Sequence, residues 1–256
     1  MTRIIAPIAQ ATLLEATRSR MPWLVAVLLA FSLGSAAFLQ QVALIESAET
    51  QVTIVAALLR GAGVFLTAAF VVMSMVREAN DKVLELMLAQ PWPRAAYLLG
   101  KFVGFSTAAV LLALVLTLPV AWLAPASGGP VWWCVSLACE LVLVTAMSLL
   151  CVITLTHVVL ALAAVLGFYL LARSITALQI IASASEGSVA WTDFAANWIV
   201  QAIALLLPRL DEMTQASWLV SGPPTASAIA NMLLMTTVYT VLLVAAAQFD
   251  LHRQNF

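Results

Sequence analysis

Charge is scarce in this chain: Asp, Glu, Lys and Arg make up 9% of its 256 residues, and 64% are hydrophobic. A soluble domain carries about 25% charged residues. With a mean hydropathy of +1.06, the chain cannot cover a water-facing surface, and a soluble globular fold is excluded. There are two histidines, His157 and His252, too few for two bis-histidine haem sites, and neither C-x-x-C-H nor H-E-x-x-H occurs. The three cysteines, Cys134, Cys139 and Cys151, fall in one apolar run without a C-x-x-C pair. They read as buried thiols, with neither a disulfide framework nor a metal site expected. A phosphate-binding loop is also missing: Gly100–Lys101 is followed by Phe102, and Ala95 stands where the first glycine should be. "GFS" at Gly104–Ser106 has the residues of a serine nucleophile, but small residues at a helix start are far more often packing positions. No catalytic residue is expected. A net charge of −1 gives no reason to expect a nucleic-acid partner. No removable signal peptide is expected, because residues 1–23 lack a short apolar core followed by a small-residue cleavage site.

What the chain does have is long apolar runs. Six reach the roughly 20 residues needed to cross a bilayer as helix: about 22–40, 54–76, 102–123, 131–154, 158–181 and 228–248. Barrel strands alternate instead of running continuously apolar. The expected fold is therefore an all-α polytopic membrane protein of one transmembrane domain, residues 1–256, with six spans. Basic residues set its orientation. With the amino terminus inside, Arg3, Arg18, Arg20, Arg77, Lys82, Arg94, Lys101 and Arg253 are cytoplasmic, and the outer loops keep only Arg209. Both termini are then expected on the cytoplasmic side. "FAANWIVQAIALLLP", Phe194–Pro208, is too short for a crossing, so the outer segment of about 190–221 is read as re-entrant or interfacial. Residues 3–20 alternate Ile and Leu with Arg and Glu, which suggests an amphipathic helix at the inner interface. The tryptophans Trp132, Trp133, Trp191, Trp198 and Trp218 suit anchoring at the outer interface.

Arg60, Glu140 and Arg173 lie inside the spans. Ionisable residues are costly in hydrocarbon and face the bundle interior or water. Counted from the expected outer ends, all three fall in the outer part of the membrane, close enough for Glu140 to pair with Arg173 or Arg60. They are candidates for a polar lining or outer gate, or for a structural ion pair between helices.

Much of the remaining charge gathers in "VREANDKVLELMLAQPWPRAAYLLGK", Val76–Lys101. From about 78 to 89, Glu78, Asp81, Lys82 and Glu85 recur at helical spacing, with Val83, Leu84, Met87 and Leu88 opposite. Glu78 and Lys82 form a well-oriented i,i+4 pair. Pro91 and Pro93 then break this short amphipathic helix, and Pro93 can start the next one. A solvated loop would need no apolar face, whereas a docking helix or an interfacial anchor would.

This connector resembles that of type-2 ABC transporter permeases: a charged start at Glu78, "LELML" at Leu84–Leu88, Pro91, Arg94, then "YLLGK" at Tyr97–Lys101 entering the third span. The likeness extends to the six-span plan and to "LLPRLDEM", Leu206–Met213, before the last span. It is nearest to the subgroup containing the permease of the nitrous-oxide-reductase maturation transporter. The "PWP" turn departs from the pattern. The resemblance implies a permease of the bacterial inner membrane that exports or extrudes a substrate. Its cofactors, ATP and magnesium, would belong to a separate ATPase subunit, present in two copies. It further implies a permease homodimer whose path is lined chiefly by the second and fifth spans, with membrane lipids around it and room for an outer accessory protein. The short helix would be the coupling helix, with Glu78, Asp81, Lys82 and Glu85 as polar contacts to the ATPase and Leu84 and Leu88 packing inward. The competing expectations are a non-ABC membrane scaffold and a self-contained secondary transporter. The latter usually shows internal repeats, and none is evident here.

Overall fold

A computed structural model describes residues 2–42, 48–81, 94–124, 128–155, 157–184, 201, 207–213, 215–219 and 222–253. Helix dominates them: α1 (Thr2–Arg18), α2 (Met21–Val42), α3 (Ala48–Asn80), α4 (Arg94–Leu123), α5 (Gly129–Leu155), α6 (Val158–Ala184) and α7 (Ala226–Arg253). Between α6 and α7 come a helical turn at Leu210–Met213 and a 3-10 turn at Ala216–Leu219. Among the described residues, α2 to α7 are the six helices long and apolar enough to cross a membrane. The expected six-span helical fold is therefore what the chain adopts.

Local chemistry sets several helix ends. Ser19 Oγ accepts the Met21 N–H at 3.2 Å, capping α2, whose first turn also holds Pro22, where the missing N–H costs nothing. Gly128 adopts φ +64°, the left-handed region open to glycine, and lets the chain turn into α5 with Pro130 in its first turn. Thr225 Oγ1 accepts the Ala228 N–H at 3.4 Å at the start of α7. Helix α3 begins almost two turns before the expected Ile54, through a polar stretch containing Glu49 and Gln51. Within the spans, hydroxyls of Thr117, Thr145, Ser148 and Thr237 donate to the carbonyl four residues back. That is how polar side chains are accommodated where water is absent.

Helix α5 is the centre of the bundle. Trp133, Leu137, Leu141 and Leu149 on it are almost completely buried, and it packs against α3, α4, α6 and α7. Gly63 brings α3 close to both α4 and α5, for a Cβ there would sit 2.8 Å from Leu116 Cδ1; small residues at such crossings let helices approach. The peripheral α2 is the least enclosed span.

Two long-range contacts fix the direction of the helices. Glu15 of α1 accepts from Ser74 Oγ (2.8 Å) and the Arg77 guanidinium (3.0 Å) near the end of α3. Thr154 Oγ1, at the end of α5, donates to Asp250 Oδ2 near the end of α7 at 2.7 Å. Glu78, near the end of α3, pairs with Lys101 near the start of α4, and α4 leads by a short connection into α5, so helices α3, α5 and α7 finish at one end of the bundle, where α1 also lies. Arg18, Arg77, Lys101 and Arg253 gather there, and it is called the basic end below. Both ends of the described chain lie at this face.

The segment leading to α7 returns into the bundle. Pro208 and Leu210 line a narrow apolar cleft with Leu143, Val144 and Met147 of α5 and Val165, Phe168 and Tyr169 of α6, and Thr176 Oγ1 donates to Asp211 at 2.9 Å. The 3-10 turn closes on the start of α5: a Cβ on Gly129 would meet the Trp218 carbonyl at 2.6 Å. Most of the apolar stretch 194–208 lies outside the described residues.

Candidate functional site

Among the described residues, ionisable side chains of different helices meet in two clusters, one deep in the bundle and one at the basic end. The first surrounds Glu140 on α5. Its carboxylate accepts from Arg60 of α3 at 2.7 Å and from Arg173 of α6 at 3.4 Å. Arg60 donates a second bond to Ser136 Oγ at 3.1 Å, and its guanidinium lies 5.4 Å from the Trp133 ring centroid, within cation–π reach. Ser136 Oγ in turn donates a hydrogen bond to the Trp133 carbonyl at 2.9 Å. The side chains of Arg60 and Glu140 are 4% and 0% exposed, that of Arg173 is 36% exposed. The three residues sit roughly 16–18 Å along their helices from the ends opposite the basic face. A carboxylate stripped of water needs paired, hydrogen-bonded charge, and Arg60 supplies it. Arg173 makes the longer contact and is the member best able to change partner.

The three ionisable residues expected within the spans are therefore brought together, with Glu140 between both arginines. Two members of the site escaped the sequence reading: Ser136 and Trp133. Their spacing was the available signal, since Trp133, Ser136 and Glu140 recur at intervals of three and four on one face of α5. Trp133 is buried beneath Arg60 and Trp218 is packed in the core, so neither acts as the interfacial anchor expected. An indole stacked on a guanidinium is better placed inside, where both are desolvated.

The second cluster joins the basic end. Glu78, in the last turn of α3, accepts from Tyr97 Oη at 2.7 Å and pairs with Lys101, both on α4. Lys101 is buried and lies 5.5 Å from the Phe105 ring centroid. One turn earlier, Ser74 and Arg77 reach Glu15 of α1. Helix α1 itself rests on a notch cut by Gly100 and Gly104. Cβ atoms there would meet Ile8 Cβ at 2.9 Å and Thr12 Cβ at 2.7 Å, with the Ala9 backbone close by. Gly104 of the "GFS" triplet is thus a packing position.

Of the residues expected to contact an ATPase, Glu78 belongs to α3 and is engaged within the chain, while Asp81 is exposed just beyond its end. Lys82, Leu84, Glu85 and Leu88, and the amphipathic helix they were expected to form, lie outside the described residues. Among the described residues, His, Cys, Asp and Glu form no group able to hold a metal ion. What the geometry provides is two fastenings: one ties α3, α5 and α6 deep in the bundle, the other ties α1, α3 and α4 at the basic end. Compared with models of known protein families and with curated proteins, the chain gives no match.

Proposed function

We propose that the chain is the membrane-spanning permease subunit of a type-2 ABC transporter, driven by ATP hydrolysed on a separate subunit at the basic, cytoplasmic face of a bacterial inner membrane. The observation that carries the reading is the connector between α3 and α4. Its charged, Leu-rich and proline-broken sequence has the form of a coupling helix, and its two feet are fastened to each other through Glu78, Tyr97 and Lys101. A partner pressing on such a segment moves both spans together instead of flexing a loose loop. Work can enter only through a contact that differs between two states of the partner. The cluster of Arg60, Glu140 and Arg173 lies on the same α3 and on α6, the helices that the family resemblance assigns to the translocation path. Arg173 exchanging Glu140 for another partner would make that cluster an outer gate.

The test is purification of the tagged chain from its native membranes, with ATP hydrolysis of the recovered complex measured for wild type and Glu85→Arg. The reading expects an ATPase subunit in equal amount and a loss of most of its recovery in Glu85→Arg, with membrane insertion intact. Absence of ATP hydrolysis from the complex, or full activity and recovery in Glu85→Arg, sinks it. A partner that binds without any nucleotide dependence would favour the scaffold reading instead. Glu78→Arg is the poorer probe, because it also breaks the fastening of α3 to α4.

A further inference from the structure

Helices α1, α2, α3 and α4 enclose an apolar cleft of about 400 Å³, within the roughly 300–1,000 Å³ range of small-molecule sites. Thr17 of α1 stands at one end, Val25 and Leu29 of α2 form one wall, and Phe70, Phe105 and Leu112 form the floor. The two phenyl rings meet edge to face at 5.6 Å, a favourable aromatic geometry. Along α4 the cleft runs from Phe105 to Val115, roughly 15 Å of helix. That is half of a hydrocarbon core about 30 Å thick, the depth of one leaflet. The cleft begins at the basic end, where Ala16, Thr17, Met21 and Pro22 line it on both sides of the turn between α1 and α2. Arg18 and Arg20 occupy that turn. Both are exposed, and neither enters an ion pair among the described residues.

We propose that this cleft is a phospholipid site: one acyl chain lies between α2 and α4 over Phe70 and Phe105, and an anionic headgroup is held at the turn by Arg18 and Arg20. The length matches a single chain within one leaflet, and Arg18 and Arg20, which do not themselves line the cleft, are next in sequence to the lining residues Thr17 and Met21. The neighbouring cavity of about 330 Å³, lined by Leu29, Leu33, Leu118, Pro119 and Trp122, continues toward the other leaflet and begins roughly 13 Å along α2 from Arg20. The site does not depend on the transporter reading, because lipid retention requires no partner and no nucleotide.

The experiment is native mass spectrometry of the full-length protein in detergent, titrated separately with palmitoyl-oleoyl phosphatidylglycerol and the matching phosphatidylethanolamine. Wild type should retain phosphatidylglycerol more tightly. Arg18→Gln and Arg20→Gln should each reduce that preference about fivefold, the effect of one basic residue beside an anionic headgroup. Ala26→Trp, which fills the cleft from the α2 wall, should lower retention of both lipids, as should Thr17→Trp from the α1 side should the first variant misfold. Unchanged phosphatidylglycerol retention in the cleft-filling variants overturns the proposal, as does an unchanged headgroup preference in both arginine variants. A protein dimer that is lost in Ala26→Trp while lipid retention is unaffected would assign the cleft to a second copy of the chain and overturn it equally.

Discussion

At the scale of single residues, Glu140 governs the buried cluster because Arg60 has no other carboxylate within ion-pair distance among the described residues. Removing one partner of a buried pair leaves the other charge desolvated, at a cost of about 3–5 kcal/mol. Glu140→Ala should therefore lower the unfolding free energy of the detergent-solubilised protein by that amount. The double variant Arg60→Met/Glu140→Leu should recover most of the loss, because it removes both charges and keeps the volume. Arg173→Gln should cost about 1 kcal/mol or less, since its side chain is 36% exposed and its contact with Glu140 is 3.4 Å. Equal losses in Glu140→Ala and Arg173→Gln, read by chemical or thermal unfolding, would contradict this ranking. These three residues were legible in the sequence because an ionisable group inside an apolar run is an exception that demands a partner. Which arginine would be the tighter partner was not legible, because Ser136 and Trp133 decide it, and neither stands out in an apolar helix.

At the scale of elements, the seat of α1 is the informative case. Its amphipathic alternation predicts a helix lying against something apolar, and an interface of lipid satisfies that pattern as well as a protein surface does. The notch at Gly100 and Gly104 seats Ile8 and Thr12 on α4, while Leu14 stays exposed on another side of α1. Gly104→Leu should displace α1, since the added side chain meets the Ala9 backbone, which cannot swing aside as a flexible side chain would. A cost of about 1–3 kcal/mol is expected from overpacking. Amide exchange in residues 5–17 should rise, with the interior of α5 unaffected; unchanged protection of α1 would count against the seat. The Glu78–Lys101 fastening was equally hard to read in advance. Helical periodicity describes one helix at a time and says nothing about which carboxylate reaches across to another. Lys101 therefore reads from sequence as a topology marker, and Glu78 as a partner of Lys82 and a contact for the ATPase.

For the whole molecule, hydrogen bonds between distant helices bear on whether the number of crossings is even or odd, which hydropathy alone leaves to the count of apolar runs. Glu15 with Arg77 holds α1 at the end of α3, and Thr154 with Asp250 holds the end of α7 at that of α5; with α4 running back between α3 and α5, both ends of the described chain lie at one face, as an even number of spans requires. In a chain with Cys134, Cys139 and Cys151 replaced by alanine, cysteines introduced at Arg18 and Arg253 should react with an impermeant maleimide from one side of sealed vesicles. A cysteine at Ser227, exposed at the start of α7, should react only from the other. Labelling of Arg18→Cys and Arg253→Cys from opposite sides would require an odd number of crossings. The buried ion pair has one more consequence, for synthesis. Arg60 and Glu140 are 80 residues apart. At about 5–20 residues per second, the second span therefore waits roughly 4–16 s in the bilayer with a lone cation before its counter-charge emerges. A chain truncated after Ala124 never receives that counter-charge, and one ending after Leu155 does. Pulse-chase labelling should find the shorter product degraded markedly faster, a difference that Arg60→Met should abolish. The lifetime of the shorter product thus measures what the fourth span's counter-charge is worth to the second during synthesis.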